Sequence, residues 1–151
     1  MEATIRAIER RDAIPLAALR LQQDREAGQT TRPGFLDEYA EALLAEFDSW
    51  RGFIAELDDG RPVGCVLAQR VRKLPWLHGP GRAEWWYVQQ VFVCPDQRRL
   101  GIGRRLVSQV QLAAAEAGVR WLDLRTSAAG RALFVACGFE ALPERALEWR
   151  P

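Results

Sequence analysis

The feature that most constrains the fold is a strand pattern that leads through a glycine-containing loop into a helix pattern. The run WWYVQQVFV at 85–93 is aromatic and β-branched, as strands often are, and Pro95 closes it. Apolar residues at helical spacing follow and stop at Gly118, a residue type that commonly ends helices. Gly101 and Gly103 stand where this helix begins. Because glycine is a poor helix former, its use there suggests that something approaches the backbone closely.

The rest of the chain predicts further strands and helices around this unit. Strands are predicted over 4–8, in a hairpin over 52–71, over 119–126 and over 146–150, with helices from Asp12 to Gly28, over about 36–48 and over about 129–136. Only some of the strands are separated by helices. The pattern therefore predicts an α/β protein with a mixed sheet and helices on both faces.

Length and composition indicate an ordinary soluble protein. The chain has 151 residues, which predicts a single domain over 1–151, and 48% of them are apolar while 27% are charged. A formal net charge of +1 gives no reason to expect nucleic acid or a membrane surface as a partner. The three cysteines are odd in number and widely spaced, which favours reduced thiols in a cytoplasmic protein. With His78 as the single histidine, no metal site is expected.

The glycine loop is a candidate phosphate site. The first N–H groups of a helix lack intrahelical acceptors and carry partial positive charge, which suits an anion. Arg98, Arg99, Arg104 and Arg105 add guanidinium groups that fit phosphate geometry. The alternative is a tight turn with solvated arginines, because a lone GxG is weak evidence. Leu106 occupies the position of the third glycine of a dinucleotide fingerprint, and the lysine of a nucleoside-triphosphate loop is absent.

The same residues resemble the GCN5-related N-acetyltransferases, the GNAT family, which bind acetyl-CoA. RRLGIG at 98–103 matches the family signature R/Q-x-x-G-x-G/A, and VFV at 91–93 is similar to the strand that precedes it. GRALFVACGF at 130–139 is similar to a later helix that ends in a Gly-Phe pair. The resemblance implies a GNAT-like acyl-CoA N-acyltransferase fold, with a mostly antiparallel sheet of about six to seven strands.

The resemblance also implies which residues bind acetyl-CoA. Main-chain atoms of Val91 and Val93 would hold the pantetheine arm like an added strand, and the N–H near Val91 would polarise the thioester carbonyl. Backbone N–H groups of the glycine loop would hold the pyrophosphate. The cofactor-binding positions carried over from the family are Val91, Val93, Arg98, Arg99, Leu100, Gly101, Ile102, Gly103, Arg104, Ser127 and Phe134.

The catalytic positions depart from the family pattern. The usual tyrosine acid is Phe134 here, and the strand that often carries an acidic pair has Gln89 and Gln90. Glu84 is the predicted base, with a strand-edge carboxylate in water as the alternative. Tyr87 is a candidate acid. Ser127 or a water molecule could serve instead, and a thiolate can leave without a dedicated acid because a thiol pKa lies near 8.5.

These expectations define an N-acetyltransferase that transfers the acetyl group of acetyl-CoA directly to a primary amine. A small-molecule acceptor is favoured over a protein, and the acids of the second helix with nearby tryptophans would suit a cationic amine. The acids are Asp37, Glu38, Glu41, Glu46 and Asp48, and the tryptophans are Trp50, Trp76, Trp85 and Trp86. One alternative is a non-catalytic acyl-CoA sensor or interaction module of the same fold. Another is an unrelated α/β protein whose loop holds a different phosphorylated ligand. A cytoplasmic location and a homodimer are also expected.

Overall fold

A computed structural model describes residues 2–75, 77, 83–142 and 147–151 of the chain. In this part of the protein, five strands form one sheet: β1 (Thr4–Ala7), β2 (Trp50–Glu56), β3 (Pro62–Arg72), β4 (Glu84–Val93) and β5 (Leu122–Leu124). The α-helices are α1 (Ala13–Glu26), α2 (Phe35–Ala45), α3 (Ile102–Glu116) and α4 (Arg131–Ala136). A short 3₁₀ helix, Phe47–Ser49, replaces the end that the sequence predicted for α2.

The sheet has the simple order β1-β2-β3-β4-β5. The first three pairs are antiparallel, and β5 pairs with β4 in parallel. A parallel pair needs a crossover connection, and α3 supplies it between β4 and β5. This arrangement confirms the mixed α/β class predicted from the sequence.

The core has two layers, one on each face of the sheet. On one face, Trp86 and Val88 of β4 pack in a cluster with Leu106 and Val110 of α3. On the other face, the buried residues of α1 and α2 pack against Cys65 of β3 and Phe92 of β4; they are Ala13, Leu16, Leu19, Ala40 and Leu43. Helices therefore cover both faces, as the sequence predicted.

A β-bulge at Gln89 divides β4 into two halves. Leu67 of β3 pairs with Gln90, but the next residue, Ala68, pairs with Val88, so Gln89 is the extra residue and its side chain is exposed. Because of the extra residue, the even-numbered side chains after Gln89 face the opposite side of the sheet from those before it. Val88 belongs to the cluster under α3, whereas Phe92 belongs to the cluster under α1 and α2. The bulge thus lies where the strand changes its environment.

The prediction of a final strand over 146–150 was wrong for the described residues 147–150, which have no strand structure. Five strands are described instead of about six to seven. Leu147 and Trp149 are highly exposed, so the apolar alternation of this segment does not bury a strand face. The strand predicted over 119–126 is shorter and covers only Leu122–Leu124. Part of the predicted loop over 73–83, including Trp76 and His78, lies outside the described residues.

Candidate functional site

The second half of β4 presents main-chain groups toward the side of the sheet where β5 lies. The N–H of Cys94 bonds to the carbonyl of Val63 on β3 at 2.8 Å. In an antiparallel pair, alternate residues direct both main-chain groups away from the partner strand, so those of Val91 and Val93 point away from β3. Pairing of β4 with β5 ends at Val88 opposite Leu124. The two valines therefore lie beyond the point where the described strands stop pairing.

The loop after β4 leads into α3 through a left-handed glycine. Gly101 is the residue that begins α3 and has φ of +81°, a left-handed value that favours glycine. A Cβ placed on Gly101 would meet no atom within 4 Å, so the space beside this turn is open. Arg99 also has positive φ, at 63°, which is uncommon for a residue with a side chain. Such strained residues are concentrated at functional sites.

Gly103 lies in the first turn of α3 and faces the other elements of the site. A Cβ added to it would approach Leu133 of α4 at 3.4 Å and Val93 of β4 at 3.8 Å. The first turn of α3, the end of β4 and α4 therefore come together at Gly103. The outward main chain of β4, the open turn at Gly101 and the helix start fit an extended ligand that ends in phosphate groups.

The last turns of α1 contact this region through two side chains. Gln23 donates from Nε2 to the carbonyl of Val91 at 3.2 Å. Arg98 donates from Nε to the carbonyl of Val93 at 2.8 Å, and its two Nη atoms bond to the carboxylate of Glu26. This pairing raises the pKa of Arg98 and lowers the pKa of the Glu26 carboxyl. The carbonyls of both valines are thus held by side chains.

A separate cleft of about 1360 Å³ lies along β5 and contains two of the predicted residues. Tyr87 and Phe134 both line it, together with the β5 residues Leu122 and Leu124. Phe134 also packs edge-on against Phe139, with ring centroids 5.6 Å apart. The cleft is larger than the usual 300–1,000 Å³ of a small-molecule site, and its described lining does not include Val91, Val93 or the glycine loop.

Glu84, the predicted base, is buried at the first residue of β4. Its side chain is 4% exposed, and Oε1 accepts a hydrogen bond from Nε of Arg70 at 2.6 Å. Nε of Arg72 lies 4.0 Å from the same oxygen. The carboxylate is therefore part of a charge pair on the face of β4 that carries Trp86, at the opposite end of the strand from the glycine loop.

The remaining predicted residues have clear structural contacts. The hydroxyl oxygen of Ser127 accepts a hydrogen bond from the N–H of Gly130, just before α4. Gln90 is buried; its Oε1 accepts from the hydroxyl of Tyr39 at 2.7 Å, and its Nε2 lies 3.3 Å from the Cys65 sulfur. Burial raises the pKa of Tyr39, so its phenol stays protonated at neutral pH. Gln90 thus links α2 to β3 within one layer of the core, whereas Gln89 faces solvent.

Four features of this site had no signal in the sequence. Neither the pairing of Glu26 with Arg98 nor the contact of Gln23 with Val91 can be inferred from spacing, because the partners are 72 and 68 residues apart. The adjacent pair Gln89-Gln90 could not reveal the bulge. The left-handed backbone of Arg99 had no signal either, since arginine has no preference for that conformation.

Comparison with known proteins identifies the class to which this fold and site belong. A family model described as the acetyltransferase (GNAT) family matches residues 18–139, most of the chain. The chain therefore belongs to the GNAT family of acetyltransferases, enzymes that use acetyl-CoA as acyl donor. No curated protein matches the chain significantly.

Solved structures with the same fold cover nearly the whole chain. A predicted acetyltransferase from Clostridium acetobutylicum, with acetyl-CoA, is 19% identical with a TM-score of 0.81, covering 98% of this chain and 96% of its own. A ribosomal-protein-alanine N-acetyltransferase from Brucella melitensis biovar Abortus 2308 is 24% identical with a TM-score of 0.74, covering 98% of each chain. The aminoglycoside acetyltransferase AAC(6')-Iy, bound to a bisubstrate analogue, is 23% identical with a TM-score of 0.74, covering 100% of this chain and 99% of its own. At these identities the likeness shows the fold.

Two further findings concern the described residues. They contain no group of three or more His, Cys, Asp or Glu side chains that could hold a metal ion. Among them, no helix combines the length and the apolar character needed to cross a membrane.

Proposed function

We propose that the protein transfers the acetyl group of acetyl-CoA directly to a primary amine. The observation that carries the proposal is the path of main-chain groups from Val91 and Val93 to the helix start at Gly101. A pantetheine arm with its amides can extend β4 by strand-like hydrogen bonds, and a pyrophosphate suits the N–H groups of a helix start. Membership of the GNAT family supports the same ligand.

The residues of the glycine loop act mainly through their backbone in this proposal. N–H groups from Arg98 through Arg104, including those of Leu100 and Ile102, bind the pyrophosphate. Exposed guanidinium groups of Arg99 and Arg104 add positive charge nearby. Ser127 and Phe134 flank the acyl-CoA site from the side of α4.

The chemistry is aminolysis of a thioester. The amine nitrogen bonds to the carbonyl carbon, the carbon–sulfur bond breaks, and the electron pair leaves on sulfur as the CoA thiolate. The N–H of Val91 stabilises the negative charge that develops on the carbonyl oxygen. The nitrogen loses a proton, because an alkylamine with a pKa near that of lysine, about 10.4, is mostly protonated at neutral pH.

Glu84 and Tyr87 are proposed for the proton transfers. Tyr87 lines the same cleft as Phe134, which stands at the family's tyrosine position, and this proximity supports Tyr87 as the acid that protonates the thiolate. Glu84 would accept the amine proton through water. Its bond to Arg70 fixes the carboxylate in one orientation at the start of β4.

The acceptor is proposed to be a small cationic amine. All five acids considered for it, Asp37, Glu38, Glu41, Glu46 and Asp48, are exposed on or just after α2. Glu38 is paired with Arg32, so Asp37 and Glu41 are the better candidates for contacting a cation. A cytoplasmic location and a homodimer also remain predictions of this account.

A second candidate is a sensor that binds acyl-CoA and catalyses little. Phe134 in place of the tyrosine acid and Gln89-Gln90 in place of an acidic pair favour it. Phenylalanine cannot donate a proton, and glutamine does not titrate.

The test is thiol release from acetyl-CoA over a panel of amines: a polyamine, an aminoglycoside, free lysine and a peptide with an N-terminal alanine. Acceptor-dependent release of CoA above the rate without amine is the expected result. Tight binding of acetyl-CoA with no release over the panel would favour the sensor instead. Competition by unrelated nucleotides, with no preference for CoA, would contradict both.

A further inference from the structure

Gln23 of α1 has an unusual hydrogen-bonding state at the point where β4 and β5 stop pairing. Its Nε2 donates to the carbonyl of Val91. Its Oε1 is completely buried and has no hydrogen-bond partner among the residues that the structure describes. Buried side-chain oxygens nearly always have a partner, so this acceptor requires an explanation.

The neighbouring polar side chains of α1 do not share this state. Oε1 of Gln22 lies 3.4 Å from the sulfur of Cys94, and both oxygens of Glu26 bond to Arg98. The unsatisfied acceptor therefore occurs only at the level of Val91 along this stretch of α1. That level is where the N–H of Val91 is proposed to polarise the thioester carbonyl.

The position of Gln23 places its amide beside the reacting group. The N–H and C=O of one strand residue point to the same side of the strand, so Gln23 contacts Val91 on its outward side. Nε2 and Oε1 share one carbon atom, which keeps Oε1 close to the Val91 main chain. An amide oxygen only accepts hydrogen bonds, so the group that satisfies it must carry an N–H or O–H.

We propose that Gln23 is a positioning residue for the acceptor amine, an inference that rests on the proposed acetyl transfer. Oε1 has almost no accessible surface without ligand, so the Gln23 side chain must shift as the amine enters. Oε1 then accepts a hydrogen bond from an N–H of the neutral amine and directs the nitrogen lone pair toward the thioester carbonyl carbon. A primary amine keeps two N–H bonds after it loses one proton, so one N–H remains for Gln23. Gln23 itself stays neutral, and the amine proton leaves to water or to the base.

Pantetheine amides also carry N–H groups. The experiment must therefore distinguish an N–H donated by pantetheine from one donated by the acceptor amine. Gln23→Met keeps the length and helix preference of the side chain but removes both the acceptor oxygen and the Nε2 donor to the Val91 carbonyl. Gln22→Met is the matched control, since it changes the adjacent glutamine, which has an exposed side chain and no contact with Val91. For both variants we would measure melting temperature, CoA affinity, acetyl-CoA hydrolysis without amine, and kcat and KM for the panel amine with the highest rate.

The proposal predicts that Gln23→Met lowers kcat/KM for the amine by about tenfold to a hundredfold. CoA affinity should stay within about twofold, because it does not need the amine contact. Loss of the Nε2 bond to Val91 acts on hydrolysis by water as well, so the loss of aminolysis should exceed any loss of hydrolysis by about tenfold or more. Gln22→Met should resemble the wild type. A parallel loss of CoA affinity would assign the contact to pantetheine and overturn the proposal, as would unchanged aminolysis in the folded variant. A wild-type protein without aminolysis would instead contradict the proposed function itself.

Discussion

Arg98 and Glu26 form a two-point ion pair between the glycine loop and the last residue of α1. Nη1 of Arg98 lies 2.6 Å from Oε1 of Glu26, and Nη2 lies 2.7 Å from Oε2. The same guanidinium donates from Nε to the carbonyl of Val93. One arginine thus joins α1 to the strand and loop that are proposed to hold acetyl-CoA.

Removing the charge of Glu26 should weaken CoA binding but change the free energy of unfolding only slightly. We expect Glu26→Gln to raise the Kd for CoA by about threefold to tenfold, since the loop loses its anchor, while an exposed pair contributes only about 0–1 kcal/mol to stability. Titration calorimetry and thermal unfolding would measure the two effects. Glu9→Gln is the matched control, because Glu9 pairs with Arg11 on an exposed surface. Equal CoA affinity in wild type and Glu26→Gln would remove the anchoring role.

Replacing Glu84 tests the proposed base. Glu84→Gln should lower turnover more at neutral pH than at high pH, where the amine loses its proton to solvent. It should also lower the free energy of unfolding by about 1–3 kcal/mol, because the buried hydrogen bond with Arg70 is weakened.

The control for Glu84 is Arg70→Gln, which disrupts the same pair but keeps the carboxylate. A base role predicts that Glu84→Gln loses more activity than Arg70→Gln at neutral pH and that the gap narrows at high pH. If both variants lower the rate by the same factor at every pH, Glu84 acts through the structure and not as a base.

Acid should destabilise the protein partly through Asp12. Burial raises the pKa of this carboxyl, whereas the hydrogen bonds from Arg6 and from the N–H of Glu9 lower it. The lowering is the larger effect, so the pKa of Asp12 is below its ordinary value. Between the folded and unfolded pKa values, the unfolded chain binds more protons, so stability rises with pH there. The contribution of Asp12 is therefore complete above about pH 4 and is lost as pH falls through the folded pKa.

Asp12→Asn should lower the free energy of unfolding by about 1–3 kcal/mol at neutral pH. The difference from wild type should shrink below about pH 4, since the unfolded wild-type chain takes up a proton at Asp12 there while the folded protein does not. Denaturant unfolding across this pH range measures both effects, with the exposed Asp37→Asn as control. A difference that is independent of pH would contradict the assigned pKa direction.

The three thiols should differ in reactivity. Burial raises the pKa of Cys65 to about 12 and raises the pKa of Cys94, which is also buried. Cys137 is only half-buried, although burial raises its pKa as well. Because the thiolate is the reactive form and needs access to the reagent, we expect Cys137 to react first with a disulfide reagent at pH 8. Cys137→Ser should abolish the fast phase, and a fast phase that persists would show that a buried thiol is reached.

The sequence predicted the central unit of the fold because its signals are local. The β-branched run of β4, the stop at Pro95, the glycines and the helical stripe of α3 all lie within one continuous stretch. The same stretch carried the family signature. The predicted strand over 146–150 failed because alternation of apolar and polar residues shows only that a strand could form. Whether Leu147 and Trp149 become buried depends on a neighbouring strand that the pattern does not specify.

The sequence could indicate a candidate site only where its motif defines the backbone. Val91, Val93 and Gly101 follow from the motif, whereas the contacts of Gln23 and Glu26 depend on how α1 packs across the sheet. Glu84 was located on the correct strand, but its pairing with Arg70 depends on the register between β3 and β4. Such register and packing details require the tertiary structure.

The most direct test of the central claim compares two glycines by calorimetric titration with acetyl-CoA. Gly101 begins α3 and Gly34 begins α2, both with left-handed backbone and no atom within 4 Å of an added Cβ. Alanine at either position should cost about 1–2 kcal/mol of stability through the same backbone strain. The account predicts that Gly101→Ala raises the Kd for acetyl-CoA by about tenfold or more, while Gly34→Ala changes it by less than about twofold. Equal affinity in the two variants, or no binding by the wild type, would contradict the assignment of the loop at Gly101 as the acetyl-CoA site.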